Sequence, residues 1–116
     1  MNPEAFIQAL KLVVSDAARN GVLRNLEYPP GRQPAERLVR ASQFYKSLSE
    51  GQQEQIAAIV EHAIHQAVFG FLCVIDGVRA IESGPDKGRL ELRYIREGEV
   101  ILNAPSRPFL YELYNG

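Results

Sequence analysis

Two histidines and a glutamate near the middle of the chain are the residues best suited to bind a metal ion. Glu61, His62 and His65 fall close together, and two histidines one turn apart on a helix can present both imidazoles to one Zn²⁺. The surrounding apolar pattern instead predicts that His62 faces solvent and that His65 lies at the flank of the buried face. No nearby motif offers a third ligand. We therefore predict a solvated helix face and no bound metal.

The single cysteine is a candidate nucleophile. A thiol attacks as the thiolate, which forms in exposed, electropositive surroundings. Cys73 instead lies among Leu72, Val74 and Ile75, which predict a buried and unreactive thiol. A chain with one cysteine cannot form an intrachain disulfide, so we expect a reducing, cytoplasmic location.

A glycine-rich loop superficially resembles a phosphate-binding loop. The segment 83–88, SGPDKG, lacks the spacing of a P-loop and does not lead into a helix. It therefore predicts a turn. The sequence also has no G-x-S-x-G motif and no array of metal ligands, so it supports neither an enzyme nor a cofactor.

Charge is distributed unevenly and is the main feature that suggests recognition. The net charge is −1, whereas residues 50–76 contain four acidic residues and no Lys or Arg. Such a balance argues against nucleic-acid binding, which normally requires a basic surface. Arginines surround a proline-rich loop and the helix after it, and acids line the outer face of the central helix. We take as candidate partner-binding residues Arg32, Arg37, Arg40, Glu54 and Glu61.

The central helix, predicted over residues 52–76, must position these groups. Its apolar residues recur every three or four positions and predict one buried stripe, made of Ile56, Ile59, Val60, Ala63, Ile64, Ala67, Val68, Phe71 and Ile75. A helix is predicted over residues 3–19, capped by Asn2, with Val13 and Val14 on its inner face and Asn20-Gly21 at its end. A loop over residues 22–33 follows, and Pro34 opens a second helix that Ser49 and Gln52 join to the central one through a capping box.

The end of the central helix has two interpretations. Asp76-Gly77 fits a helix C-cap, but it also fits a hairpin turn, in which case residues 71–75 would form a strand. Beyond it, residues 89–95 alternate as a half-buried strand does, with Arg89, Glu91, Arg93 and Ile101 on the outer face of its hairpin. A three-residue loop, 96–98, with Gly98 left-handed, would pair Tyr94 with Val100 and Leu92 with Leu102. Ser106 then predicts a cap for a helix over residues 108–114.

The predicted fold is α+β and forms one domain over residues 1–116. Three N-terminal helices, including the long central one, precede a small antiparallel β-meander and a short C-terminal helix. No uninterrupted apolar run reaches the eighteen or so residues of a membrane span, and the N-terminus lacks the features of a secretory signal. We therefore expect a soluble, cytoplasmic protein without membrane contact.

Several stretches together resemble a group of small bacterial proteins of unknown function. They are PPGR, FYKSLS, AVFGFLCVIDGVRAIE, GRLELRY and LNAPSRPFLYELYNG. This resemblance carries no catalytic motif, and by analogy it suggests interaction or toxin-immunity proteins. We expect a module that binds a protein partner or itself. The alternative is a small-ligand-binding protein or minor enzyme with a pocket near Tyr28, Pro29 and Pro30.

Overall fold

A computed structural model describes residues 1–116 and shows an α+β fold, as the sequence predicts. The helices are α1 (Pro3–Leu10), α2 (Ala17–Glu27), α3 (Glu36–Ser47), α4 (Glu50–Ile75) and α5 (Leu110–Asn115), with a π-helical segment at Lys11–Asp16 between α1 and α2. The strands β1 (Arg93–Ile95) and β2 (Glu99–Ile101) form one antiparallel sheet of two strands.

The chain comprises two compact units. Unit 1 contains residues 1–14 and 66–116, and unit 2 contains residues 15–65. In unit 1, α1 packs against α5 around a core of Ile7, Leu72, Leu110 and Tyr114. In unit 2, α2 packs against α3. That residues 1–116 form a single folding domain stays a prediction.

The first helical region begins as predicted but continues further. Asn2 caps α1, because its side-chain oxygen accepts a hydrogen bond from the N–H of Ala5 at 2.8 Å. The predicted end at Asn20-Gly21 is wrong, since α2 continues to Glu27. A glycine inside a helix costs only about 1 kcal/mol relative to alanine, so packing of α2 against α3 can override this local stop signal.

The π-helical segment changes which side chains face the core. A π-helical turn accommodates an extra residue and so shifts the phase of the side chains along the helix. Val13 and Val14 were predicted on the inner face, and that prediction is wrong: they are 66% and 42% exposed, and Leu12 is 65% exposed.

Helix α4 has the predicted capping interactions at both ends. Ser49 and Gln52 form the capping box: Gln52 Oε1 accepts from the N–H of Ser49 at 2.9 Å, and Ser49 Oγ accepts from the N–H of Gln52 at 3.2 Å. At the other end Gly77 has φ = 77°, and the N–H of Val78 donates to the carbonyl of Cys73 at 3.0 Å, which is a Schellman cap. The helical interpretation of residues 71–75 is therefore confirmed over the strand.

The hairpin has the predicted register. Tyr94 pairs with Val100, and the N–H of Leu102 donates to the carbonyl of Leu92 at 2.8 Å. The connecting loop has three residues, in which Glu97 (φ = 53°) is left-handed and Gly98 also has a positive φ, 147°. The strand predicted from residue 89 begins only at Arg93, and the predicted small antiparallel meander consists of this two-stranded hairpin.

The C-terminal helix begins later than predicted. Ser106 does not cap it, because α5 starts at Leu110 with Phe109 as its N-cap residue. The carboxylate of Asp76, from the end of α4, accepts a hydrogen bond from the N–H of Tyr111 at 2.9 Å instead. A residue 35 positions away thus satisfies a free N–H of the first turn.

Candidate functional site

The five predicted partner-binding residues all belong to unit 2, and all are exposed. Arg40 pairs with Glu36 on its own helix at 2.6 Å, and Glu61 lies 3.6 Å from Arg19. Arg32, Arg37 and Glu54 form no ion pair. The structure therefore does not join the predicted arginines to the predicted acids, and their role in binding a partner stays a prediction.

The residues considered for metal or nucleophilic chemistry do not assemble into a metal-binding cluster. His62 is exposed and His65 is half-buried. No three His, Cys, Asp or Glu side chains are grouped so that they could hold a metal ion. Cys73 is 5% exposed, as its apolar neighbours predict, so the thiol is shielded from reagents and substrates.

The proline loop does not border a described cavity. Tyr28 is 72% exposed, and the ammonium of Lys46 lies 5.7 Å from the centre of its ring, which is a cation–π contact. Two cavities in unit 1 have other linings. The predicted pocket near Tyr28, Pro29 and Pro30 thus gains no support from these cavities.

Helix α4 presents two apolar rows of residues spaced four apart, and only one of them is covered. We call the buried or half-buried row the covered row: Ile56, Val60, Ile64, Val68 and Leu72. We call the other the exposed row: Ile59, Ala63, Ala67 and Phe71. The prediction that the whole stripe is buried is therefore wrong for these four residues. Ile59 is 62% exposed and Phe71 is 65% exposed.

The exposure of α4 is unusual for so apolar a helix. By length and composition α4 could cross a membrane, which is weak evidence from a single helix. The core helix of a soluble protein would be mostly buried, yet only 17% of the most apolar 18-residue window of α4 is buried. The exposed row is therefore the most prominent unpartnered surface of the helix.

Asp76 and Asn103 connect the end of α4 to distant parts of unit 1. Asp76 Oδ2 accepts the bond from Tyr111, whereas Oδ1 is buried and accepts no hydrogen bond from another group of the chain. The amide of Asn103 donates to the carbonyls of Ile75 and Leu90, both at 2.8 Å, and its oxygen accepts from the N–H of Leu92 at 2.9 Å. Neither role is predictable from the sequence, because only the Asp76-Gly77 turn signal is local.

The larger of these two cavities has a mixed lining of apolar, basic and acidic residues. Its volume is about 390 Å³, and its charged residues are Asp76, Arg79, Glu82, Lys87 and Arg89. Glu82 already accepts a hydrogen bond from the N–H of Gly88 at 2.7 Å, while Arg79 and Lys87 form no ion pair. Three basic residues against two carboxylates leave this lining with a small excess of positive charge.

An ion network covers the outer face of the hairpin. Glu91 accepts from Arg93 at 2.7 Å and from Arg89 at 2.8 Å, and Arg93 also reaches Glu99 at 2.6 Å. The hydrogen bond and charge of Arg93 lower the pKa of Glu91, and Glu91 in turn raises the pKa of Arg93. This network fits the usual role of mixed charge at a sheet edge, which is to discourage edge-to-edge pairing.

Comparisons with known proteins give no family or relative for this chain. No protein-family model, curated protein or solved structure matches it.

Proposed function

We propose that this protein is a cytoplasmic bacterial protein-interaction module and that the exposed row of α4 is its binding surface. The observation that carries the proposal is the exposure of Ile59 and Phe71 on one row of a long apolar helix. Covering such a row removes apolar area from water, which stabilises a complex by roughly 25 cal/mol per Å² before the costs of association. An amphipathic or apolar helix face of a partner is the usual occupant of such a surface.

A protein fits this surface better than a lipid bilayer does. Every 18-residue stretch of α4 includes Glu61, His62 and His65, and ionisable groups near the centre of a membrane span are costly. Between residues 50 and 75 the helix also has three acids and no basic residue, so it lacks the cations that attract anionic lipid headgroups. At a protein interface these polar residues can stay at the wet rim.

The test is cross-linking in cells of the native host with tagged protein, followed by mass spectrometry. Ala67→Glu places a charge within the exposed row, and Ala58→Glu places the same charge on the same helix outside the row. Both alanines are exposed, so neither change should disturb the fold. We expect a protein partner, either another protein or the same chain, that Ala67→Glu loses and Ala58→Glu retains. Equal capture by both variants would contradict the proposal.

The charged surface of unit 2 favours an immunity-protein-like version of this function. Arg32 and Arg37 are exposed and have no ion pair, so they are available to an acidic partner. A capture that weakens at high salt and is lost in Arg37→Glu, but is retained in Ala67→Glu, would indicate that this surface binds instead of the exposed row.

A second candidate function is binding of a small anion in the cavity lined by Arg79, Lys87 and Arg89. Its volume of about 390 Å³ falls within the usual range of small-molecule sites. A ligand that binds only the native state raises the midpoint of thermal unfolding. We expect such a shift with inorganic phosphate or citrate, and a smaller one in Lys87→Gln. No shift with either anion would argue against this candidate.

A further inference from the structure

The exposed row has an order of side-chain sizes that is complementary to itself. Ile59 and Phe71 are the large residues at its two ends, and Ala63 and Ala67 are the small residues at its centre. In an antiparallel pair of such helices, a twofold axis near position 65 places Ile59 of each copy beside Phe71 of the other. The alanines then meet at the centre, where small side chains allow two helices to approach closely. Rows of this spacing are the ridges that pack in the commonest class of helix pair.

Charge also favours an antiparallel pair. The N-terminal end of α4 has Glu50 and Glu54, both exposed and without an ion pair. The segment after its C-terminal end has Arg79, whose side chain lies against Gly70: a Cβ on that glycine would be 2.5 Å from Arg79 Nη1. An antiparallel pair brings the acidic end of each helix toward the Arg79 end of the other. A parallel pair would instead place like charges together.

We propose that the partner of the exposed row is a second copy of this chain, which pairs α4 with α4 in an antiparallel arrangement about a twofold axis near residue 65. This inference rests on the proposed function and names its partner. The contact is isologous, so each copy contributes the same residues and the assembly closes at two chains. One helix row per copy is a small interface, so we expect a weak dimer that dissociates on dilution.

The first measurement is light scattering of the purified full chain over a range of concentrations. Wild type and Ala58→Glu should change from monomer to dimer over the same range. Ala67→Glu places a carboxylate at the dry centre and should raise the dissociation constant about tenfold or more. Far-UV circular dichroism of each variant confirms that its helices are intact.

The second measurement determines the orientation of the two helices without disturbing the row. Ala58 and Gln66 are exposed on α4 and lie outside the row, so spin labels on Ala58→Cys or Gln66→Cys should leave the contact intact. The native Cys73 is buried, and labelling of wild type serves as its control. Seven residues from the axis correspond to about 10 Å along the helix. An antiparallel pair thus separates the labels at position 58 by about 20 Å and brings those at position 66 to roughly the interhelical distance of about 10 Å.

Each other outcome overturns the inference in a recognisable way. Short distances at both positions would show a parallel pair. Equal dimerisation of Ala67→Glu and wild type would place the contact on another surface. A purified chain that stays monomeric while cells yield a different protein, captured through the exposed row, would refute the second copy and leave the proposed function intact. A monomer with no captured partner would refute both.

Discussion

Asn103 should be a principal determinant of the stability of unit 1. Its side chain makes three hydrogen bonds with main-chain groups: two from its amide, to Ile75 and Leu90, and one to its oxygen, from Leu92. These bonds connect the last residue of α4 with the chain that leads into β1. Asn103→Ala removes all three and leaves the main-chain partners unsatisfied.

The expected loss follows from the number and burial of these bonds. A hydrogen bond contributes about 1 kcal/mol net. The bonds to Ile75 and from Leu92 are partly buried, whereas the bond to Leu90 is exposed and should contribute least. We therefore expect Asn103→Ala to lower the free energy of unfolding by about 2 to 3 kcal/mol, a large part of the stability of an ordinary domain.

The assay is urea unfolding followed by far-UV circular dichroism, since the chain has no tryptophan. All variants are measured at one protein concentration, because dimerisation would make the midpoint depend on it. Asn20→Ala is the matched control: Asn20 is exposed on α2, and only Arg19 donates to it, at 3.2 Å. We expect it to change the unfolding free energy by less than about 0.5 kcal/mol. Equal midpoints and slopes for the two variants would refute the role of Asn103.

Two further predictions concern the ion pair of Glu91 with Arg93 and the buried face of α4. Arg93 lowers the pKa of Glu91, so this pair stabilises the fold above the unfolded-state pKa, and that contribution is lost as the pH falls through the lowered pKa. Arg93→Gln should therefore make the urea midpoint less sensitive to acid, and an unchanged pH profile would count against the pair. Val68→Asp should destabilise by about 3 kcal/mol or more, because Val68 packs against the core of unit 1. His62→Ala on an exposed face should change little, and similar urea midpoints for both would contradict the assigned helix faces.

Local signals in the sequence were sufficient to predict the class of the fold and several of its helix caps and turns. The cap at Asn2, the capping box at Ser49 and the Schellman end at Gly77 each depend on residues within a few positions of one another. The hairpin register was also predictable, because a three-residue loop and the alternation of residues 89–95 allow one pairing that keeps Tyr94 and Val100 on the same face.

Local signals failed where packing decided the outcome. Asn20-Gly21 is a reasonable helix end, yet α2 continues through it. Ser106 is a reasonable cap, yet α5 begins later and uses the carboxylate of Asp76. In both cases the structure involves a partner far away in the sequence, which no short window of residues contains.

The candidate site shows the same limit most clearly. The sequence of α4 by itself showed which residues are apolar, and their periodicity placed them on one side of the helix. It could not determine that the row of Ile64 and Val68 is covered while the row of Ile59 and Phe71 is exposed, since both rows are apolar and have the same spacing. Burial depends on what packs against each row. Only the tertiary structure, which places the other elements around the helix, decided which apolar surface remains available to a partner.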